Sequence, residues 1–166
     1  MKSFSFDYAR TCGLDGSLIL QEVQAIIPEI IKIRKMRQER YSNKDYACIY
    51  LPDDHKLHEQ VQAVVKEKKK LNPKILVVIG IGGSNLGAIA VWHALNGVLV
   101  NDQTEAMRVY FADSVDPNFI GSIGNIVEGE LKKGNNILLN VITKSGTTLE
   151  TIANFQVLLA VLKKYH

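Results

Sequence analysis

Ile75-Leu76-Val77-Val78-Ile79-Gly80-Ile81-Gly82-Gly83-Ser84-Asn85-Leu86-Gly87 decides how this chain is read. An apolar, β-branched run stops at a cluster of glycines, and a helix-like segment follows. That order predicts a buried strand, a tight turn and a helix whose first N–H groups point at whatever sits above the strand end. Orphan N–H groups and the helix dipole both favour negative charge there. A second loop of the same kind, Thr143-Lys144-Ser145-Gly146-Thr147-Thr148, directly follows the apolar run from Asn136 to Ile142. Two such loops in one small chain suggest a phosphate held between them.

Outward from this stretch the pattern alternates. Ile75–Gly80, Arg108–Asp113 and Asn136–Thr143 read as strands. Asn85–Gly97 reads as a helix apolar on nearly every side and hence buried. Pro117–Glu130 reads as a weaker helix loosened by Gly121 and Gly124, and Thr147–Tyr165 as a long one. Strands alternating with helices predict an α/β three-layer sandwich, a doubly wound parallel sheet with right-handed crossovers. The loops after parallel strands share one edge of the sheet, where open α/β sheets bind ligands. The Gly82–Ser84 and Thr143–Thr148 loops can therefore converge on one molecule.

The first 72 residues differ and predict an N-terminal helical segment (1–72) packing on the α/β core (73–166). Leu18, Val23, Ile26, Ile27, Ile30, Ile31 and Ile33 recur at helical spacing, and Pro28 inside that pattern predicts two helices or one kinked helix. Arg34–Arg40 reads as a charged, solvated end. Ala47–Leu51 reads as a short extended piece ended by Pro52. Asp53–Lys70 reads as a helix with Leu57, Val61, Val64 and Val65 on one face. Its terminal Lys66, Lys68, Lys69 and Lys70 suit the negative end of the dipole better than a dedicated binding patch.

Composition bounds the function. The chain has 166 residues, the size of one ordinary domain, with 46% apolar and 22% charged residues. A net charge of +3 gives no argument for nucleic acid or membrane as a partner. Cys12 and Cys48 are too few for a disulfide framework, and no metal-ligand spacing is present. Met1–Asp7 lacks the apolar core of a secretory signal, and no apolar run approaches the roughly 20 residues of a membrane span. These features predict a soluble, reduced, cytoplasmic domain.

The two loops carry the chemistry. Gly82 and Gly83 let the backbone approach a ligand closely, and Ser84 either caps the next helix or offers its hydroxyl. A dinucleotide fingerprint beginning at Gly80 would need glycine where Asn85 stands, and a P-loop would need lysine after Gly87, where Ala88 stands. In the second loop, Thr143, Ser145, Thr147 and Thr148 supply hydroxyls and Lys144 a cation, the donor set a phosphate calls for. Thr147 and Glu150 also fit a capping box, which would explain those two without a ligand. It leaves Thr143, Lys144 and Ser145 unexplained.

Other residues say less. His55 and His58 lie three apart on a helix with no third ligand in view, which favours surface histidines. His93 reads as a hydrogen-bonded interior group and Trp92 as core. Asp113 ends the second strand, where a dehydrogenase places its ribose-binding acid; Asp113, Ser114 or Asp116 could equally cap the helix at Pro117.

Gly80–Gly87 together with Lys144-Ser145-Gly146-Thr147-Thr148-Leu149-Glu150-Thr151 resembles the glucose-6-phosphate isomerase family, in its shorter bacterial type. Phe6-Asp7-Tyr8 and Leu51-Pro52 add to the likeness, which covers essentially the whole chain. The resemblance implies reversible interconversion of glucose 6-phosphate and fructose 6-phosphate in glycolysis and gluconeogenesis. It implies proton transfer between C2 and C1 through an enediol, no metal, no organic cofactor, and a homodimeric parent protein. Carried over, the phosphate falls to Thr143, Lys144, Ser145 and Thr148, with Gly83 and Ser84 beside the sugar. Glu150 matches the acidic residue of the second motif in a supporting catalytic role only. Family members are several hundred residues long, and their glutamate base, ring-opening histidine, catalytic lysine and substrate-contacting arginine have no matching positions here. The expectation is an N-terminal piece that binds phosphosugar and does not turn it over. A non-enzymatic phosphosugar-binding regulatory module of the same fold and a dinucleotide-binding domain are the rival readings.

Overall fold

A computed structural model describes residues 13, 15–38, 44–103 and 106–165. Phe6, Asp7, Tyr8, Cys12, Glu39 and Arg40 lie outside the described residues. The chain divides into two compact units at Gln62–Ala63.

The first unit holds α1 (Gly16–Gln38), a 3₁₀ helix (Lys44–Asp53) and the start of α2 (His55–Lys69). Asp15 caps α1, accepting from the Ser17 N–H at 3.1 Å and the Ser17 hydroxyl at 2.9 Å. Asp54 caps α2 in the same way, accepting from the Leu57 N–H at 3.0 Å. Contrary to a division at Pro28, α1 runs through it as one helix of 23 residues. A proline gives up a single ladder bond, and the bonds on either side continue the helix. The extended piece expected at Ala47–Leu51 is a 3₁₀ helix instead, with Pro52 inside it. No described strand offers that segment a ladder, so its backbone groups are satisfied locally. Within this unit the buried Tyr50 hydroxyl donates to the Met36 carbonyl.

The second unit is the α/β sheet expected from the sequence. Its strands are β1 (Ile75–Ile79), β2 (Arg108–Ala112) and β3 (Ile137–Val141), all parallel, in the order β2-β1-β3. Ile79 pairs with Ala112 on one side and Val141 on the other, so all three strands end level. Three helices of the unit, α3 (Leu86–Asn96), α5 (Pro117–Lys132) and α6 (Leu149–Lys163), follow those strands; a single turn, α4 (Val100–Gln103), precedes β2.

The core lies on one face of the sheet. Ile75, Val77 and Ile79 of β1 meet Ile123 and Val127 of α5 and Leu158 of α6, all buried. Gly121 and Gly124 do not loosen α5, which spans 16 residues and buries six. Gly124 is itself buried, and a Cβ there would stand 3.9 Å from Val161 Cγ2 of α6, an ordinary packing distance. On the opposite face, the His93 ring of α3 meets Phe111 of β2 edge-on, centroids 6.5 Å apart. The expectation that α3 is buried fails: none of its residues is, and Leu86, Val91 and Leu95 are 62%, 60% and 78% exposed. Apolar residues all round a helix predict cover on every side, whereas among the described residues one side alone meets the sheet.

Side chains close the flanks of the sheet. Asn101 of α4 donates to the Val109 carbonyl at 2.6 Å and accepts from the Val109 N–H at 3.0 Å, blocking the outer edge of β2. At the amino edge, Glu130 of α5 accepts from Arg108 and Lys133 at 2.9 Å each and from the Asn135 amide at 2.6 Å.

Candidate functional site

The level strand ends set the site. β1 runs out at Ile79, and the chain turns through Gly80 and Ile81 into a short 3₁₀ turn, Gly82–Ser84, before α3 begins. β3 runs out at Val141, and Ile142 keeps the two ends together by donating to the Ile79 carbonyl at 2.8 Å. Gly80 lies where the two loops touch. A Cβ on it would come within 3.1 Å of Ser84 Cβ, 3.2 Å of the Ile142 carbonyl oxygen and 3.5 Å of Asn85 Cγ. Glycine there is a requirement of space. Gly82 and Gly146 are glycines of another kind, with φ of 56° and 74° in the left-handed region that side chains disfavour.

The second loop is organised by its own hydroxyls. Thr143 Oγ1 accepts from the Gly146 N–H at 3.1 Å and lies 3.4 Å from Thr148 Oγ1. Ser145 Oγ accepts from the Thr147 N–H at 3.2 Å and lies 2.8 Å from Thr147 Oγ1. Lys144 and Ser145 are exposed, while Thr143 and Thr148 are half-buried. Across the edge, Gly83 is exposed and Ser84 half-buried. All six residues expected to hold a phosphosugar therefore lie in the two loops that leave β1 and β3 side by side.

Helix caps distinguish the ends of β1 and β3 from the end of β2. α5 also starts at the carboxyl edge, and Asp116 caps it fully, accepting from Asn118 N–H at 2.7 Å and Phe119 N–H at 3.1 Å. Ser114 supports that turn, its hydroxyl accepting from Asp116 N–H at 3.1 Å. Asp113 caps nothing and is exposed. By contrast, Asn85 at the start of α3 and Thr148 at the start of α6 make no side-chain cap. Ser84 is thus not the cap of α3; it ends the 3₁₀ turn. The capping box also fails, because α6 begins one residue later than the box requires. Thr148 takes the cap position, and Thr147 is spent on Ser145. Glu150 falls in the first turn of α6 and is exposed.

Asn85 is the residue the sequence reading missed. Its side chain is fully buried, and its Nδ2 donates to the Gly80 carbonyl at 2.7 Å. Its Oδ1 is buried without a hydrogen-bond partner among the described residues. A second polar residue, following Ser84 after two glycines at a helix start, was the available signal.

The histidines stand apart. His55 and His58 are exposed on α2. His93 is half-buried, and the contact of its ring is with Phe111, an aromatic edge and not a polar interior partner. Trp92 is half-buried, short of the core placement expected. Among the described residues, no group of three or more His, Cys, Asp or Glu could hold a metal ion, and no helix is long and apolar enough to cross a membrane.

Two glycine- and hydroxyl-rich loops leave adjacent parallel strands, each opening into a helix that no side chain caps, and the class they define is that of open α/β domains with a parallel sheet. Residues 55–166 match the profile of the phosphoglucose isomerase family, and the chain belongs to that family. It is 36% identical over 121 residues to the glucose-6-phosphate isomerase of Carboxydothermus hydrogenoformans, covering 69% of this chain and 24% of that protein. With the glucose-6-phosphate isomerase of Lactococcus lactis subsp. cremoris it shares 32% identity over 174 residues, covering 99% of this chain and 37% of that one. With the probable glucose-6-phosphate isomerase of Haloquadratum walsbyi it shares 34% identity over 163 residues, covering 96% and 33%. The chain spans between about a quarter and somewhat over a third of the length of these curated relatives.

Proposed function

We propose that this chain supplies the phosphate-binding part of a glucose-6-phosphate isomerase, which interconverts glucose 6-phosphate and fructose 6-phosphate. The observation that carries the proposal is the pair of uncapped helix starts at the ends of β1 and β3. Their N–H groups, the hydroxyls of Thr143, Ser145 and Thr148 and the Lys144 ammonium are the donors a phosphate dianion needs. Gly83 and Ser84 lie across the edge, where the sugar attached to that phosphate would run.

Holding the phosphate fixes one end of the substrate and leaves the proton transfer to other groups. Moving a proton between C2 and C1 needs a base within hydrogen-bond reach. Glu150 follows the phosphate loop and lies in the first turn of α6, and its part is a supporting catalytic one only. The base itself belongs to a segment that the family resemblance places beyond these 166 residues. The chain alone then binds phosphosugar without turning it over, and the complete enzyme acts as a homodimer in the cytoplasm.

Calorimetric titration of the purified chain with fructose 6-phosphate tests the reading. Saturable binding that Lys144→Ala combined with Ser145→Ala abolishes, with an unchanged far-UV circular dichroism spectrum, is the expected result. Equal affinity in the folded double variant would place the phosphate elsewhere.

A further inference from the structure

Asparagine is among the best helix N-cap residues, because its side-chain oxygen accepts from the N–H of the second or third helical residue. Asn85 stands at that position before α3 and does not cap. Its amide turns back instead, and Nδ2 donates to the Gly80 carbonyl at 2.7 Å. Oδ1, the atom that would have capped the helix, is buried and has no partner among the described residues. Folded proteins keep few buried acceptors without a donor, because the desolvation goes uncompensated. Elsewhere this fold caps readily, through Asp15, Asp54 and Asp116. Local backbone preference therefore gives no reason for the orientation of Asn85.

We propose that Asn85 is a positioning residue of the anion site. Clamped to the Gly80 carbonyl, it fixes the Gly80–Ser84 turn against Ile142, and it keeps a side-chain cap off α3. The first N–H groups of that helix stay open for the phosphosugar. This inference rests on the phosphosugar reading above. Gly80 is the point through which it acts, since the space beside its Cα is bounded at once by Ser84, Asn85 and the Ile142 carbonyl of the second loop. A shift of the turn at Gly80 therefore changes the spacing between the two loops. A residue that capped α3 would compete with the ligand for the same N–H groups.

Two substitutions separate this role from a purely structural one. Asn85→Leu removes the orphan Oδ1 and leaves the Gly80 carbonyl without its donor. One unpaired acceptor replaces another, so the thermal unfolding midpoint stays close to that of the parent chain. Asn85→Ser provides a side chain that caps α3 and is too short to reach the Gly80 carbonyl, so the helix is held at least as well. Calorimetric titration with fructose 6-phosphate is expected to show affinity falling about tenfold or more in both, because the loops lose their set spacing. Hydrogen exchange is expected to rise across Gly80–Ser84 in Asn85→Leu and to slow in the first turn of α3 in Asn85→Ser. Affinities within about twofold of the parent in folded variants, against tenfold for one RT ln 10 step, overturn the proposal. Should Asn85→Leu fail to fold, Asn85→Ser decides it alone. No binding by the parent chain overturns the phosphosugar reading itself and this inference with it, a result distinct from parent binding that both variants retain.

Discussion

Gly83→Ala separates folding from binding at this site, because the two should move in opposite directions. A Cβ at Gly83 would meet nothing within 4 Å, and its φ lies outside the left-handed region. The free protein therefore accepts the methyl group without strain. Replacing glycine where the backbone conformation suits alanine stabilises by about 0.4–1 kcal/mol, through the lost freedom of the unfolded chain. The same open space is where the proposed phosphosugar approaches the turn. A methyl group there is expected to weaken fructose 6-phosphate binding by about tenfold, roughly 1.4 kcal/mol. Three residues away, Gly80→Ala should do the reverse to stability. Its Cβ would sit 3.1 Å from Ser84 Cβ and 3.2 Å from the Ile142 carbonyl oxygen, a backbone atom that cannot swing aside. Overpacking of that kind costs about 1–3 kcal/mol. The entropic gain of alanine offsets a fraction of it, leaving a net loss of about 0.5–2 kcal/mol. Urea unfolding of both variants, paired with calorimetric titration, reads the two quantities separately. Full affinity in a stable Gly83→Ala chain would mean that the ligand does not reach the Gly82–Ser84 turn. A Gly80→Ala chain as stable as the parent would show that the loops are not wedged together at that glycine.

Three other outcomes follow from the packing and charges. The Glu130 carboxyl is held below its ordinary value, chiefly by the hydrogen bonds from Lys133 and Asn135, with Arg108 adding to them and burial opposing. A depressed carboxylate stabilises the fold above its unfolded pKa and loses that contribution as pH falls through its folded one. The stability gap between parent and Glu130→Gln should thus be full at neutral pH and close as pH falls through and below the ordinary carboxylate range; a gap independent of pH in urea titrations would contradict the assignment. Leu158 is wholly buried between α6 and the sheet, so Leu158→Ala should cost about 2–5 kcal/mol in the same assay, and a loss below about 1 kcal/mol would deny it a place in the core. Glu150 places a negative charge in the first turn of α6, beside the proposed dianion. Glu150→Gln should tighten binding of inorganic phosphate by about two- to fivefold at low salt, and weaker binding would indicate that the carboxylate organises the loop instead.

The sheet was legible in the sequence because each strand is a short run rich in β-branched, aromatic or other apolar residues with punctuation just past its carboxyl end: Gly80 after β1, Asp113 after β2 and Thr143 after β3. Such runs declare both the element and the place where it stops. Burial of the helices was less legible. The apolar residues of α3 fix a helix, but periodicity carries no information on how many neighbours that helix has. At Ala47–Leu51 the same gap appeared, since an extended reading presupposes a partner strand that the segment itself cannot announce. Thr147 and Glu150 matched the capping-box spacing, and a shift of one residue in the helix start removed the box. Boundaries of that size are set by loop contacts, here the Ser145–Thr147 and Thr143–Gly146 hydrogen bonds, which no pairwise spacing encodes. Asn85 was visible only as the residue that spoils a dinucleotide fingerprint. Its role depends on the direction of one side-chain amide, and that direction is a tertiary fact.

The distribution of satisfied and unsatisfied groups argues for a site at the carboxyl edge independently of any motif. A missing N-cap forgoes about 1 kcal/mol, and a buried acceptor without a donor about 1–3 kcal/mol. Two missing caps and one orphan acceptor lie together at the ends of β1 and β3. The amino edge shows the opposite, with both oxygens of Glu130 engaged by three side chains. Domains of this size are stable by only about 5–15 kcal/mol, so unmet hydrogen bonds gathered at one spot are a substantial concession. A ligand that binds only the folded state returns that stability by mass action, about 2.7 kcal/mol at a hundred times its Kd. The two uncapped helix starts present N–H donors flanked by hydroxyls and a lysine, so the ligand that restores them must bring acceptors and negative charge, while the buried Asn85 Oδ1, itself an acceptor, stays unpaired beside it. A phosphate ester meets both demands, whereas a neutral sugar would leave the charge of Lys144 and the two helix dipoles unanswered.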